Sequence, residues 1–190
     1  MEQVLKVGGI YMYFQSKGAA NTGAAIELAL KAAEERGIEY IVAASNTGNT
    51  AKELMGKNVK TVCVTHVNGF IEKGKNEMPE AVRAELEQAG VKVLTASHVL
   101  SGVERGISRQ SNGMYPAEII ANALRMFGQG TKVCVEISIM ALDAGLIPYG
   151  QKVIAVGGSG RGADTAVVIT PAHASEVFDT YIHEIICKPV

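Results

Sequence analysis

Short runs of β-forming apolar residues recur along this chain at 40–44, 61–64, 91–94 and 152–156, with helical patterning between them. Strands joined through helices need crossovers of a dozen or more residues, which lays them parallel with helices over both sheet faces. The connection 157–164, Gly-Gly-Ser-Gly-Arg-Gly-Ala-Asp, breaks that pattern. It is too short for a crossover before the apolar run 165–169, so those two strands are expected to pair antiparallel as a hairpin. Aromatic residues are only 5% of the chain and hydrophobic residues 47%, so the core must be built from Val, Ile, Leu and Ala. The expected fold is a three-layer α/β/α sandwich on a mostly parallel mixed sheet with an antiparallel C-terminal hairpin, one domain over residues 1–190.

In chain order, 10–14 reads as a first strand and 23–36 as a helix with Ile26, Leu30 and Ala33 on one face. Gly37 is its left-handed stop. Pro79 suits the first turn of a helix through Glu87, and Gly90 ends it. The segment 101–115 shows no regular pattern and reads as a long irregular loop. Pro116 opens a helix to about Phe127. Residues 133–144 alternate as in a strand yet also match helical spacing, and the stop at Gly145 favours helix. A short helix is expected over 174–178 and an edge strand over 182–187.

The turn after 40–44, Ser45-Asn46-Thr47-Gly48-Asn49-Thr50, carries the densest candidate chemistry. Thr50 and Glu53 have capping-box spacing, so a helix starts at or just after Asn49. A glycine-containing strand-to-helix turn exposes N–H groups at the positive end of a helix, and the hydroxyls of Ser45, Thr47 and Thr50 add donors. That combination suits a phosphate. The same residues also suit a turn that caps its own helix.

In an open parallel sheet, ligands sit beyond the carboxyl ends of the strands. Three more polar loops converge there: Thr65 and His66; Ser97, His98 and Arg105; and Gly157, Gly158, Ser159, Gly160, Arg161 and Asp164. Arg105 and Arg161 offer charge-assisted contacts to an anion. His66 and His98 are the catalytic candidates, for acid–base work or stacking on a ligand, with strand-end histidines bonded to backbone as the other reading. The glycine-rich loop is no Walker loop, because Ala163-Asp164 stand where Lys and Ser or Thr are required, and its glycine spacing and following strand exclude a dinucleotide fingerprint. Glu136 and Asp143 share a helical face and read as helix-terminal or solvent-side charges, with no metal site implied.

A formal net charge of -1 with dispersed lysines and arginines argues against nucleic-acid binding. Cys63, Cys134 and Cys187 lack paired spacing, which points to reduced core thiols. No secretory signal is visible, and the longest apolar run carries Glu136 and Asp143, so no membrane span is expected. A cytoplasmic location follows as an expectation.

These residues resemble the pyruvate kinase C-terminal (α/β) domain, in particular its free-standing relatives without the catalytic barrel. Residues 45–51, with their Ser/Thr-rich loop and central Gly, resemble the loop that grips an effector sugar phosphate in the kinases. Gly158-Ser159-Gly160 before an antiparallel strand is also similar. Thr65-His66, Ser97-His98, Arg105-Gly106-Ile107-Ser108, residues 132–136, residues 143–147 and residues 162–165 fit the free-standing group, whose function is uncharacterised and whose associated ligand is flavin mononucleotide (FMN). The resemblance implies a binding protein for a phosphorylated small molecule, FMN foremost, in a homo-oligomer. Its alternative is an FMN-dependent oxidoreductase. The kinase barrel has no counterpart in the sequence, so pyruvate kinase activity is not implied.

Overall fold

The computed structural model describes residues 5–7 and 11–190; Ile10, expected to begin the first strand, lies outside them. Among the described residues, eight strands form one mixed sheet: β1 (Leu5–Val7), β2 (Tyr11–Phe14), β3 (Tyr40–Ala44), β4 (Lys60–Val64), β5 (Lys92–Leu94), β6 (Val153–Gly157), β7 (Thr165–Thr170) and β8 (Tyr181–Pro189). Their order is β1-β2-β8-β7-β6-β3-β4-β5. The pairs β6–β3, β3–β4 and β4–β5 are parallel. The β6–β7 pair is the expected antiparallel hairpin, from Val153 opposite Ile169 to Gly157 opposite Thr165.

Six α-helices occur among the described residues: α1 (Thr22–Arg36), α2 (Asn49–Lys52), α3 (Glu80–Gln88), α4 (Gly102–Ser111), α5 (Pro116–Arg125) and α6 (Gln129–Asp143). Of these, α1, α2, α3 and α6 lie against the sheet, α5 packs on α6 and α4 on α5. Successive side chains of a strand point to opposite faces, and here both faces are dry. Ile41, Ala43, Ile154 and Val156 pack with Ala25, Ala29, Ala32 and Ala33 of α1. Val42, Val153, Ala155, Val167 and Ile169 pack with α6 on the other face. Leu86 of α3 buries against Cys63 and Val91. Ala25, Ala29, Ala32 and Ala33 of α1 are at most 2% exposed, which brings that helix close to the sheet. Gly37 ends it at φ 62, as expected.

Residues 133–143 are helical, with Ala144 as the C-cap. Sheet and α5 enclose α6 together, and almost every residue from Gly130 to Leu142 is buried. A helix buried along most of its circumference carries apolar residues on more than one face, which is why a strand-like alternation was also present.

Two expectations need correction. The segment 101–115 is not irregular: α4 spans Gly102–Ser111 and ends at Asn112 with φ 53. Its apolar signal is weak because only Ser108 is buried. The C-terminal strand is longer than 182–187 and is no edge, since β8 lies between β2 and β7. Arg36 at the end of α1 pins it, donating to both Glu184 oxygens at 3.0 and 2.7 Å. The segment Ala174–Asp179 is a 3-10 helix.

Candidate functional site

From its carboxyl end, β3 continues through α2 to β4, whereas its neighbour β6 turns the other way into β7. Such a reversal opens a crevice between the two following loops. A cavity of about 1090 Å³ lies there. The loop after β3 lines it with Ser45, Asn46, Thr47, Asn49 and Thr50, and the loop after β6 with Gly158, Gly160, Arg161 and Gly162. Thr65 and His66 after β4, His98 after β5, and Arg105 of α4 complete the carboxyl edge. The opposite wall comes from α5 and α6, through Glu118, Asn122, Arg125, Lys132 and Glu136.

The turn after β3 is built differently from its capping-box reading. Its helix begins at Asn49 behind Gly48, and no side chain caps it at that position. Ser45 does the anchoring instead: its N–H donates to Val64 O at 3.0 Å, and its Oγ accepts the Ala51 N–H at 3.3 Å. Among the described residues, no acceptor takes the N–H groups of Asn46, Thr47, Asn49 or Thr50.

Gly48 is required for packing. It sits at φ 90, and a Cβ there would meet Val82 Cγ1 of α3 at 2.4 Å. It does not line the cavity, and neither do Ser97, Gly157, Ser159 and Asp164. Gly157 lets α6 lie close on β6, since a Cβ would stand 2.9 Å from Gly130 O.

Asp164 is fully buried and holds the β6 loop in shape. Its Oδ2 accepts the N–H groups of Gly18 at 2.9 Å and Ser159 at 3.1 Å, and its Oδ1 accepts the Thr165 hydroxyl at 2.8 Å. Thr22 Oγ1 adds a second tie by accepting the Ala163 N–H at 3.0 Å. The glycine-rich loop is thereby locked to the start of α1.

His66 and His98 meet. Their ring centroids are 5.4 Å apart, and Phe70 stacks on His66 at 3.8 Å, giving a three-ring surface. His66 Nδ1 lies 2.5 Å from Glu77 Oε2, which fixes the ring. Burial pushes the His98 imidazole below its usual value, with Glu136 pulling the other way and His66, Lys132 and Arg105 adding to the decrease.

The sequence reading missed the buried ion pair of Lys132 and Glu136, each 5% exposed. Glu136 is therefore neither solvent-facing nor helix-terminal. Its Oε1 accepts the Leu100 N–H at 3.1 Å while its Oε2 pairs with Lys132 Nζ. The available signal was their i,i+4 spacing within an apolar run, which places them on one face. Asp143 does sit near the helix end, accepting from His173 Nδ1 at 2.8 Å if that nitrogen carries the proton. The three cysteines are free and buried, as expected. Burial raises Cys63 and Cys187 to about 12. No group of metal-ligating residues occurs among the described residues. No helix among them is long and apolar enough to cross a membrane.

Comparison with known proteins gives one family model, "Pyruvate kinase, alpha/beta domain", matching residues 23–169. Among solved structures, the chain is similar to Cryptosporidium parvum pyruvate kinase. It is 22% identical over 75% of this chain and 21% of that one, with a TM-score of 0.37. In a second structure of pyruvate kinase from that organism the identity is 22% over 79% of this chain and 23% of that one, with a TM-score of 0.40. The same enzyme in complex with ADP is 20% identical over 92% of this chain and 25% of that one, TM-score 0.40. The chain thus spans a quarter or less of the length of the kinases it matches.

Proposed function

The chain belongs to the pyruvate kinase alpha/beta domain family, and on that premise we propose that it binds a phosphorylated small molecule, FMN foremost, at the carboxyl edge of its sheet. The observation that carries this reading is the opening of two polar loops, from the neighbouring strands β3 and β6, onto one cavity. N–H groups without an internal acceptor, the hydroxyls of Thr47 and Thr50, and the guanidinium of Arg161 form a donor set that a phosphate prefers.

The residues present fit FMN. The loops supply donors for its phosphate, and the cluster of His66, Phe70 and His98, whose rings are inclined to one another by 30 to 58°, offers aromatic contacts to the edge or face of an isoalloxazine. Bound FMN would supply redox chemistry. A second reading, an FMN-dependent oxidoreductase, draws on His66, which Glu77 orients in the cavity wall as a proton donor or acceptor. We ascribe no pyruvate kinase activity to these residues, and expect none with phosphoenolpyruvate and ADP. Self-association into a closed homo-oligomer belongs to the same proposal and is read by light scattering.

Calorimetric titration with FMN, with a sugar phosphate and with riboflavin tests the binding. FMN should bind and riboflavin should bind far more weakly. At 100 times its dissociation constant FMN should raise stability by about 2.7 kcal/mol. Binding of the sugar phosphate alone keeps the site and removes the flavin; binding of neither ends the reading.

A further inference from the structure

Lys132 and Glu136 are the most deeply buried charged residues on the cavity wall. A buried ion pair contributes little net stability against a well-packed apolar pair, because both charges give up water. This one is placed where a ligand would reach it. Glu136 is held by the Leu100 N–H, so the carboxylate stays against the Lys132 amine. Burial lowers the proton affinity of Lys132, against the opposing pull of Glu136, and Arg125 and Arg105 lower it further. A desolvated lysine beside other cations is the usual setting of an amine nucleophile.

We propose that Lys132 captures the carbonyl group of a small anionic aldehyde or ketone as a protonated imine, with Glu136 carrying the proton. The anionic part of that ligand rests on the phosphate reading above; the amine chemistry does not. Lys132 first passes a proton to Glu136, leaving a free amine and a neutral carboxyl. The Nζ lone pair attacks the carbonyl carbon, and a proton moves from nitrogen to oxygen to give the carbinolamine. Glu136 returns its proton to that hydroxyl, water leaves, and the nitrogen lone pair closes the C=N bond. The carboxylate is ionised again, and no oxidant or reductant is consumed.

Pyridoxal 5'-phosphate and pyridoxal are suitable probes, since both carry the aldehyde and only one the phosphate. The full chain is incubated with each at low concentration, reduced with borohydride, digested and mapped by mass spectrometry. Lys132 should be labelled several-fold ahead of exposed lysines such as Lys31 and Lys75, although these are far more accessible to solvent. Lys132→Arg keeps the ion pair and should lose both the label and the imine absorbance. The wild-type map decides alone if that variant does not fold. Preference of Lys132 for the phosphorylated probe supports the amine and the phosphate reading together. Equal labelling of Lys132 by both supports the amine and counts against the phosphate reading. Label confined to the exposed lysines overturns the amine chemistry, whatever FMN does in the titration.

Discussion

At Gly130 a Cβ would stand 2.0 Å from Thr165 Oγ1, because the first turn of α6 rests directly on β7. Gly130→Ala is therefore expected to lose at least about 1–3 kcal/mol, seen as a lower urea midpoint with unchanged slope. Gly23 is the control. Nothing lies within 4 Å of its Cβ position in α1, and Gly23→Ala should gain about 0.4–1 kcal/mol. The same logic applies to Gly48, where Gly48→Val strikes Val82 and should show first as lost stability.

Lys132→Met strands the buried Glu136 carboxylate and should cost about 3–5 kcal/mol, most of it recovered in Lys132→Met/Glu136→Leu. For His98, burial depresses the folded value, so the unfolded chain binds more protons below its ordinary value of about 6.5. Its contribution to stability is therefore lost as pH falls from there through the folded value. Wild type should lose more urea resistance between neutral and acidic pH than His98→Gln. An equal loss would remove His98 as the cause. Single residues were only partly legible. The hydroxyl loop and both histidines were read from local sequence, but Asp164 takes its role from Gly18 and Ser45 from Val64, both distant in sequence, while Lys132 and Glu136 were signalled only by their i,i+4 spacing.

Among elements, α4 and α6 are opposites. Of α4 only Ser108 is buried, and Val103 is 82% exposed, whereas α6 is buried along nearly its whole length. Local opening needs little energy where few apolar contacts are lost. Amide hydrogens of α4 should exchange orders of magnitude faster than those of α6, and comparable protection would contradict the packing. The same contrast explains what the pattern of apolar residues revealed. It identified α6 despite the alternation, but hid α4, whose glycines and charges leave a helix without a buried stripe.

For the whole molecule, the short link 157–164 and the strand–helix alternation were enough to expect the sandwich and its hairpin. Strand order was not legible at the C-terminus, since nothing local in 181–189 says that β2 and β7 will flank it. The site was legible as a set of loops at one sheet edge. Its far wall, from α5 and α6, was not, because those helices fold back over the edge from distant sequence. The central claim is that the cavity between the β3 and β6 loops holds a phosphate-bearing ligand. A crystal structure of the protein grown with FMN tests it most directly. The account predicts density for the phosphate between residues 45–50 and 158–161, with Thr47 or Thr50 within hydrogen-bond distance. An empty cavity at saturating FMN, or a phosphate bound elsewhere on the surface, would contradict it.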